Sequence, residues 1–112
     1  MDCIFCKIAA GEIPAKVVYE DEFCLAFHDV APQTPVHVLV IPKQHIPSAA
    51  HVAEEHAEVA SKLLLAVPKV AGLLSLEDGF RVVTNVGENG GQTVHHLHFH
   101  LMGGKKLAAV MG

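Results

Sequence analysis

The stretch Val94-His95-His96-Leu97-His98-Phe99-His100-Leu101-Met102 constrains this chain more than any other, with Gly90-Gly91 before it and Gly103-Gly104 after it. From His96 onward, imidazoles alternate with apolar residues. Alternation of period two between glycines is the pattern of a half-buried β-strand. A strand over 96–102 aims His96, His98 and His100 at one face and Leu97, Phe99 and Leu101 at the core. A helix would scatter both sets. Three imidazoles in a row have three uses. As metal ligands, neighbours stand about 7 Å apart and the outer pair about 13 Å. A zinc–nitrogen bond of about 2.1 Å then lets one ion take two of them and not three. As a reactive site, one imidazole attacks while its neighbours donate hydrogen bonds. As a plain solvated face they would be ordinary, but ordinary composition does not supply such a pattern.

The rest of the composition narrows the field. At 112 residues the chain is expected to form a single domain, 1–112, and 51% hydrophobic content supplies a core. The net charge of -4 and the lack of a basic run argue against duplex nucleic acid as partner. No apolar run approaches the ~20 residues of a membrane span. Met1-Asp2-Cys3 opens on an acid without an apolar leader, and three cysteines, an odd number, suit a reducing compartment. A cytoplasmic location is expected.

Cys3-Ile4-Phe5-Cys6 with Lys7-Ile8 reads as a short helical turn, closed by Gly11 and Pro14. Its Cys-x-x-Cys is either half of a zinc site or two buried thiols; a redox motif would need a following βαβ pattern. Residues 16–19 and 23–27 read as a hairpin with the acidic tip Glu20-Asp21-Glu22. Asp29, at the exit of the second strand, could hold a pair of sugar hydroxyls or close its own turn. The run 36–41 is apolar on both faces, so it is central, and His37 within it is buried. His45 sits in a loop. Residues 51–76 read as the one long helix, with Ala60, Leu63, Leu64, Val67, Ala71 and Leu74 as its apolar stripe and Pro68 as a kink or break. Residues 80–86 form the next strand. The glycine-rich loop 87–93 can turn backbone N–H groups toward an anion. The whole is an α+β chain: about five strands, mostly antiparallel, one long helix and a short N-terminal helical turn.

His96-Leu97-His98-Phe99-His100-Leu101-Met102 matches the His-φ-His-φ-His-φ-φ signature, and the chain resembles the histidine triad (HIT) family of nucleotide hydrolases and transferases. The likeness continues through Ile4-Phe5, Glu12-Ile13-Pro14, Ala26-Phe27-His28-Asp29, Val40-Ile41-Pro42-Lys43, Gly90-Gly91-Gln92 and Gly103-Gly104. Met102-Gly103-Gly104 is similar to the Hint branch, homodimeric purine nucleoside phosphoramidases. The resemblance implies that His98 is the nucleophile that forms a nucleotidyl-histidine. It makes His100 a hydrogen bonder to the phosphate and His37 the imidazole that orients and relays protons. It puts Asn85, Gly91 and Thr93 on the phosphate and leaving-group side, and Asp29 on the ribose. Ile4, Phe5, Ile8, Phe27, His28, Val30 and Leu39 would form the purine pocket. Thr93 stands where Hint proteins usually carry Ser, and Gln92-Thr93-Val94 occurs also in the dinucleoside polyphosphate hydrolase branch. That branch, and a purine-nucleotide binding module with residual catalysis, are the alternatives. Cys3-x-x-Cys6 is similar to bacterial members that hold zinc, in which the other ligands match His45 and His96. This implies a structural Zn²⁺ ion on four protein ligands.

Overall fold

The computed structural model describes residues 3–111; the opening Met1-Asp2 and the final Gly112 lie outside the described residues. The first helix, α1 (Ile4–Ala9), starts from Cys3, whose Sγ accepts the Cys6 N–H at 3.3 Å. It ends where Gly11 turns the chain with φ 78°. The hairpin follows as β1 (Val17–Glu20) and β2 (Cys24–His28). Its tip is closed by Asp21, whose Oδ1 accepts the Phe23 and Cys24 N–H groups at 2.8 Å each. The apolar run is β3 (Val36–Pro42), then come α2 (Ala57–Leu73), β4 (Arg81–Val83) and β5 (Phe99–Gly103). The strands form one five-stranded sheet in the order β1-β2-β3-β5-β4, and every neighbouring pair is antiparallel. β3 is central, as a strand apolar on both sides must be.

Alternate residues of the sheet feed two separate clusters. On one face Cys24, Ala26, Val38, Val40 and Leu101 pack under Val59, Leu63, Ala66, Val67, Val70 and Ala71 of α2. On the other, Leu25, Phe27, Leu39 and Ile41 pack with Phe5, Ile8 and Val94. The long helix is a pure packing element. The opposite face carries the short α1 with Ala15 and Val94 beside it.

Four expectations need correction. The strand begins at Phe99, not at 96. Leu97 donates its N–H to Ile46 O at 2.6 Å, and that loop contact draws 96–98 off the sheet. The helix starts at Ala57, after 3-10 turns at Ala49–His51 and Glu54–His56, and it runs unbroken through Pro68. Pro68 lies on the exposed side, where water can take the carbonyl that its missing N–H would have bonded. Leu64 is 64% exposed, so the stripe centres on Val59, Leu63, Ala66, Val67 and Val70 instead. The strand expected over 80–86 is only three residues long, because Thr84 and Asn85 turn to bond His98 O and Gly90 O through their side chains.

Candidate functional site

Strand parity places the chemistry. Leu39 pairs with His100 and His37 with Met102, so all four point to the face that carries α1. His98, just before β5, sits beneath them at 4% exposure. Its Nδ1 lies 2.6 Å from His96 O. A carbonyl only accepts, so Nδ1 carries the proton and Nε2 keeps a free lone pair. The ring is held edge-on by Phe5, with centroids 5.1 Å apart, and meets His100 at 5.0 Å. Thr84 Oγ1 donates to the His98 carbonyl at 2.8 Å, fixing the backbone as well.

His37 and His100 form a second unit. Gln33 donates its backbone N–H to His37 Nδ1 at 3.0 Å. The His37 proton therefore sits on Nε2, from which it donates to His100 Nδ1 at 2.9 Å. His100 is left with Nε2–H as an outward donor. Burial, then the neighbouring His98 and His37, hold His100 below the ordinary 6.5, so the ring is neutral near pH 7. Asp29 faces the pair with Oδ2 3.5 Å from His37 Nε2, while its Oδ1 accepts the Ala31 N–H at 2.8 Å. Asp29 thus closes its own turn and still offers one oxygen to the site.

Two cavities meet at His37. One, of about 780 Å³, is lined by Ile8, Phe27, His28, Asp29 and Val30, together with Pro14, Ala15, Lys16, Pro32 and Pro35. Of the expected purine pocket, Phe5 and Leu39 lie underneath as packing, and Ile4 is 47% exposed and off the lining. The other cavity, of about 450 Å³, brings His37, His100, Asn85, Gly91 and Thr93 together with Gln33, Thr34 and Arg81. Val83, Met102, Leu107, Val110 and Met111 make its apolar part. Arg81 donates to Ala108 O, which pins the tail there. The glycine loop offers fewer free amides than expected: Gly91 N–H bonds Glu88 O and Gln92 N–H bonds Gly87 O, at 3.0 Å each.

Four metal-type donors converge at the Pro42 end of β3. His96 Nδ1 lies 3.3 Å from Cys3 Sγ, 3.5 Å from Cys6 Sγ and 3.2 Å from His45 Nδ1, and Cys6 Sγ is 3.3 Å from His45 Nδ1. A tetrahedral ion with bonds of about 2.0–2.3 Å needs donor separations of about 3.3–3.7 Å. His96 is fully buried and its Nε2 donates to Pro42 O at 2.8 Å, so its Nδ1 carries a lone pair toward the thiols. That outward N–H to a carbonyl is what an imidazole ligand requires. Burial, then the Cys3 hydrogen bond and charge, push the Cys6 thiol up to about 11, so two thiolates here need a cation between them. The cluster could hold a metal ion. The three imidazoles therefore do not share a face: the bend at 94–96 turns His96 away to the cysteines.

Gln92 enters the motifs quoted above without a role of its own. It is 8% exposed, accepts the Gly87 N–H at 3.0 Å, and donates to Pro47 O at 2.7 Å and Val94 O at 3.0 Å. It ties the glycine loop to the loop after β3. A single buried amide has no periodicity to betray it, and the backbone amide of Gln33 leaves no mark in a sequence at all.

An antiparallel five-stranded sheet that carries paired imidazoles between two cavities, on the motif quoted above, defines a histidine triad protein. Residues 10–107 match the HIT domain, and the chain belongs to that family. It is 55% identical over 107 residues to an uncharacterized HIT-like protein of Synechococcus elongatus, covering 96% of this chain and 94% of that one. It is 52% identical over 102 residues to Protein HitA of Neisseria gonorrhoeae, covering 91% and 95%. Among solved structures it is similar to a HIT family hydrolase from Clostridium thermocellum, with a TM-score of 0.94 and 43% identity over 98% of this chain and 96% of that one.

Proposed function

We propose that the protein is a hydrolase that cleaves purine nucleoside phosphoramidates at the P–N bond, through a nucleotidyl intermediate on His98. The observation that carries this is the His98 Nδ1–H···O=C His96 bond of 2.6 Å. It leaves the Nε2 lone pair of the neutral tautomer as the nucleophile, without a separate base. The base and ribose occupy the larger cavity, with the free Asp29 oxygen toward the ribose. His100 Nε2–H and Thr93 stabilise the phosphate oxygens as charge develops there. The departing amine takes its proton from a water molecule in the second cavity, and the hydroxide so formed attacks the His98 adduct, releasing the nucleoside monophosphate and restoring the neutral ring. His37 orients His100, with its own Nδ1 accepting the Gln33 N–H at 3.0 Å and its Nε2–H donating to His100 Nδ1 at 2.9 Å.

The second cavity favours an amine over a polyphosphate leaving group. Arg81 is its sole lysine or arginine among the described lining residues, and it is engaged with Ala108 O; five further residues are apolar. A nucleoside polyphosphate would need more positive charge. Turnover of an adenosine phosphoramidate, compared with a diadenosine polyphosphate, tests the preference. His98→Ala should reduce phosphoramidate turnover by about 10³-fold or more, and an acid-labile adduct on residue 98 should be trapped by rapid quenching. An alanine variant that keeps most of its activity would overturn the assignment.

The four-donor cluster suits Zn²⁺ in a closed, structural site. A homodimer in a reducing cytoplasm completes the reading. Its support is the edge strand β4, where Phe80 and Val82 are 39% and 41% exposed, and the exposed Leu64, Leu65 and Leu73 on α2. Sedimentation at twice the chain mass is the expected result.

A further inference from the structure

One peptide unit links the two clusters. The carbonyl of His96 and the N–H of Leu97 belong to the same planar trans peptide and point in opposite directions. The carbonyl accepts the His98 Nδ1 proton at 2.6 Å, and the N–H donates to Ile46 O at 2.6 Å. Both flanks of this unit are tied to the four-donor cluster. His96 reaches it through its own Nδ1, and Ile46 follows His45, whose Nδ1 is 3.2 Å from that of His96. The remaining nitrogen of His96 is committed to Pro42 O at 2.8 Å. The plane of the peptide is therefore set by where His96 and His45 are held. Beside the cluster, the loop at 45–47 and the bend at 94–96 are joined by the Leu97–Ile46 bond and by Gln92, which donates to Pro47 O and Val94 O but touches neither side of the His96–Leu97 peptide.

We propose that Cys3, Cys6 and His45 are positioning residues for His98: with the zinc ion proposed above, they lock the peptide between His96 and Leu97, whose carbonyl holds the nucleophile's Nδ1 proton. None of the three lines either cavity. The inference rests on the reading of His98 as nucleophile, but its central measurement does not.

The test compares zinc-loaded wild type, the same protein stripped by a chelator, the stripped protein refilled with zinc, and His45→Ala. The His98 Nδ1 proton is followed by NMR as a far-downfield imidazole resonance, identified by its loss in His98→Asn. Metal content, AMP affinity, circular dichroism and phosphoramidate turnover are read in parallel. Stripping and His45→Ala should broaden or remove the resonance and lower kcat about 10- to 100-fold. AMP affinity should change less than threefold, with the fold retained. Refilling with zinc should restore wild type and not His45→Ala. A resonance and a kcat that survive stripping would overturn the inference. So would a loss of kcat that merely tracks lost AMP affinity and lost circular dichroism, which is the mark of a general structural role. If the zinc-loaded wild type turns over no phosphoramidate, the functional reading fails, and the resonance alone still decides the positioning claim.

Discussion

The two ends of β3 carry clusters built from similar parts. At one end stand Cys3, Cys6, His45 and His96, at the other Asp29, His37 and His100, and in each the donor atoms lie within 4.8 Å of one another. What separates them is the far nitrogen of a ring. His96 Nε2 faces the Pro42 carbonyl, so it holds the proton and Nδ1 offers a lone pair to a cation. His37 Nδ1 faces the Gln33 N–H, so the proton is forced onto Nε2, where a metal would have to bond. The first cluster is arranged to hold a cation and the second to hold a proton. The two cysteines contribute to this, but for the imidazoles the backbone group behind each ring decides it.

That contrast can be broken from either side. The largest effect is expected from Cys3→Ala with Cys6→Ala. Bound zinc should fall from about one per chain to near zero, and Tm should drop by more than about 10 °C, because the binding energy of a structural ion is folding energy. Asp29→Asn should leave metal content and Tm almost unchanged and raise the KM for a nucleoside phosphoramidate by about tenfold, the worth of one charge-assisted hydrogen bond. Metal loss in Asp29→Asn would erase the distinction. Gln92→Leu strands the Gly87 N–H and the Pro47 carbonyl, at a cost of about 1–3 kcal/mol by chemical denaturation.

The smallest effect is on pH dependence. His100 is held below its ordinary 6.5, so the unfolded chain takes up that proton more readily than the folded one. Stability should then fall as pH drops below about 6.5, and level off once the folded ring is itself protonated. Burial lowers His96 in the same sense, so both contribute to the slope of Tm against pH. His100→Gln should flatten part of that slope; an unchanged profile would remove His100 from the account.

Much of this was readable beforehand. The central strand with its buried His37, the acidic hairpin, the short α1 and the antiparallel sheet all follow from local pattern, because period and turn residues act over a few positions. The helix stripe departs from expectation at Leu64 because the run 63–67 is apolar throughout, and the position of the sheet selects which side is covered. The residues expected around a purine divide for a similar reason: Phe27 and His28 line the larger cavity, while Phe5 and Leu39 pack beneath it. Asn85, Gly91 and Thr93 do meet His100, but the loop consumes three of its own amides, those of Gly87, Gly91 and Gln92.

The sequence by itself determined which elements form and that imidazoles would gather on the face of β3 and β5 opposite the long helix, since side-chain alternation is a property of the strand alone. Only the tertiary structure decided that His96 leaves that row for the cysteines, and on which nitrogen His37 and His98 carry their protons. Those outcomes depend on carbonyls and amides brought from Pro42, Ile46 and Gln33, and a hydrogen bond to a backbone group is specified by the fold of the whole chain, not by the residue that receives it.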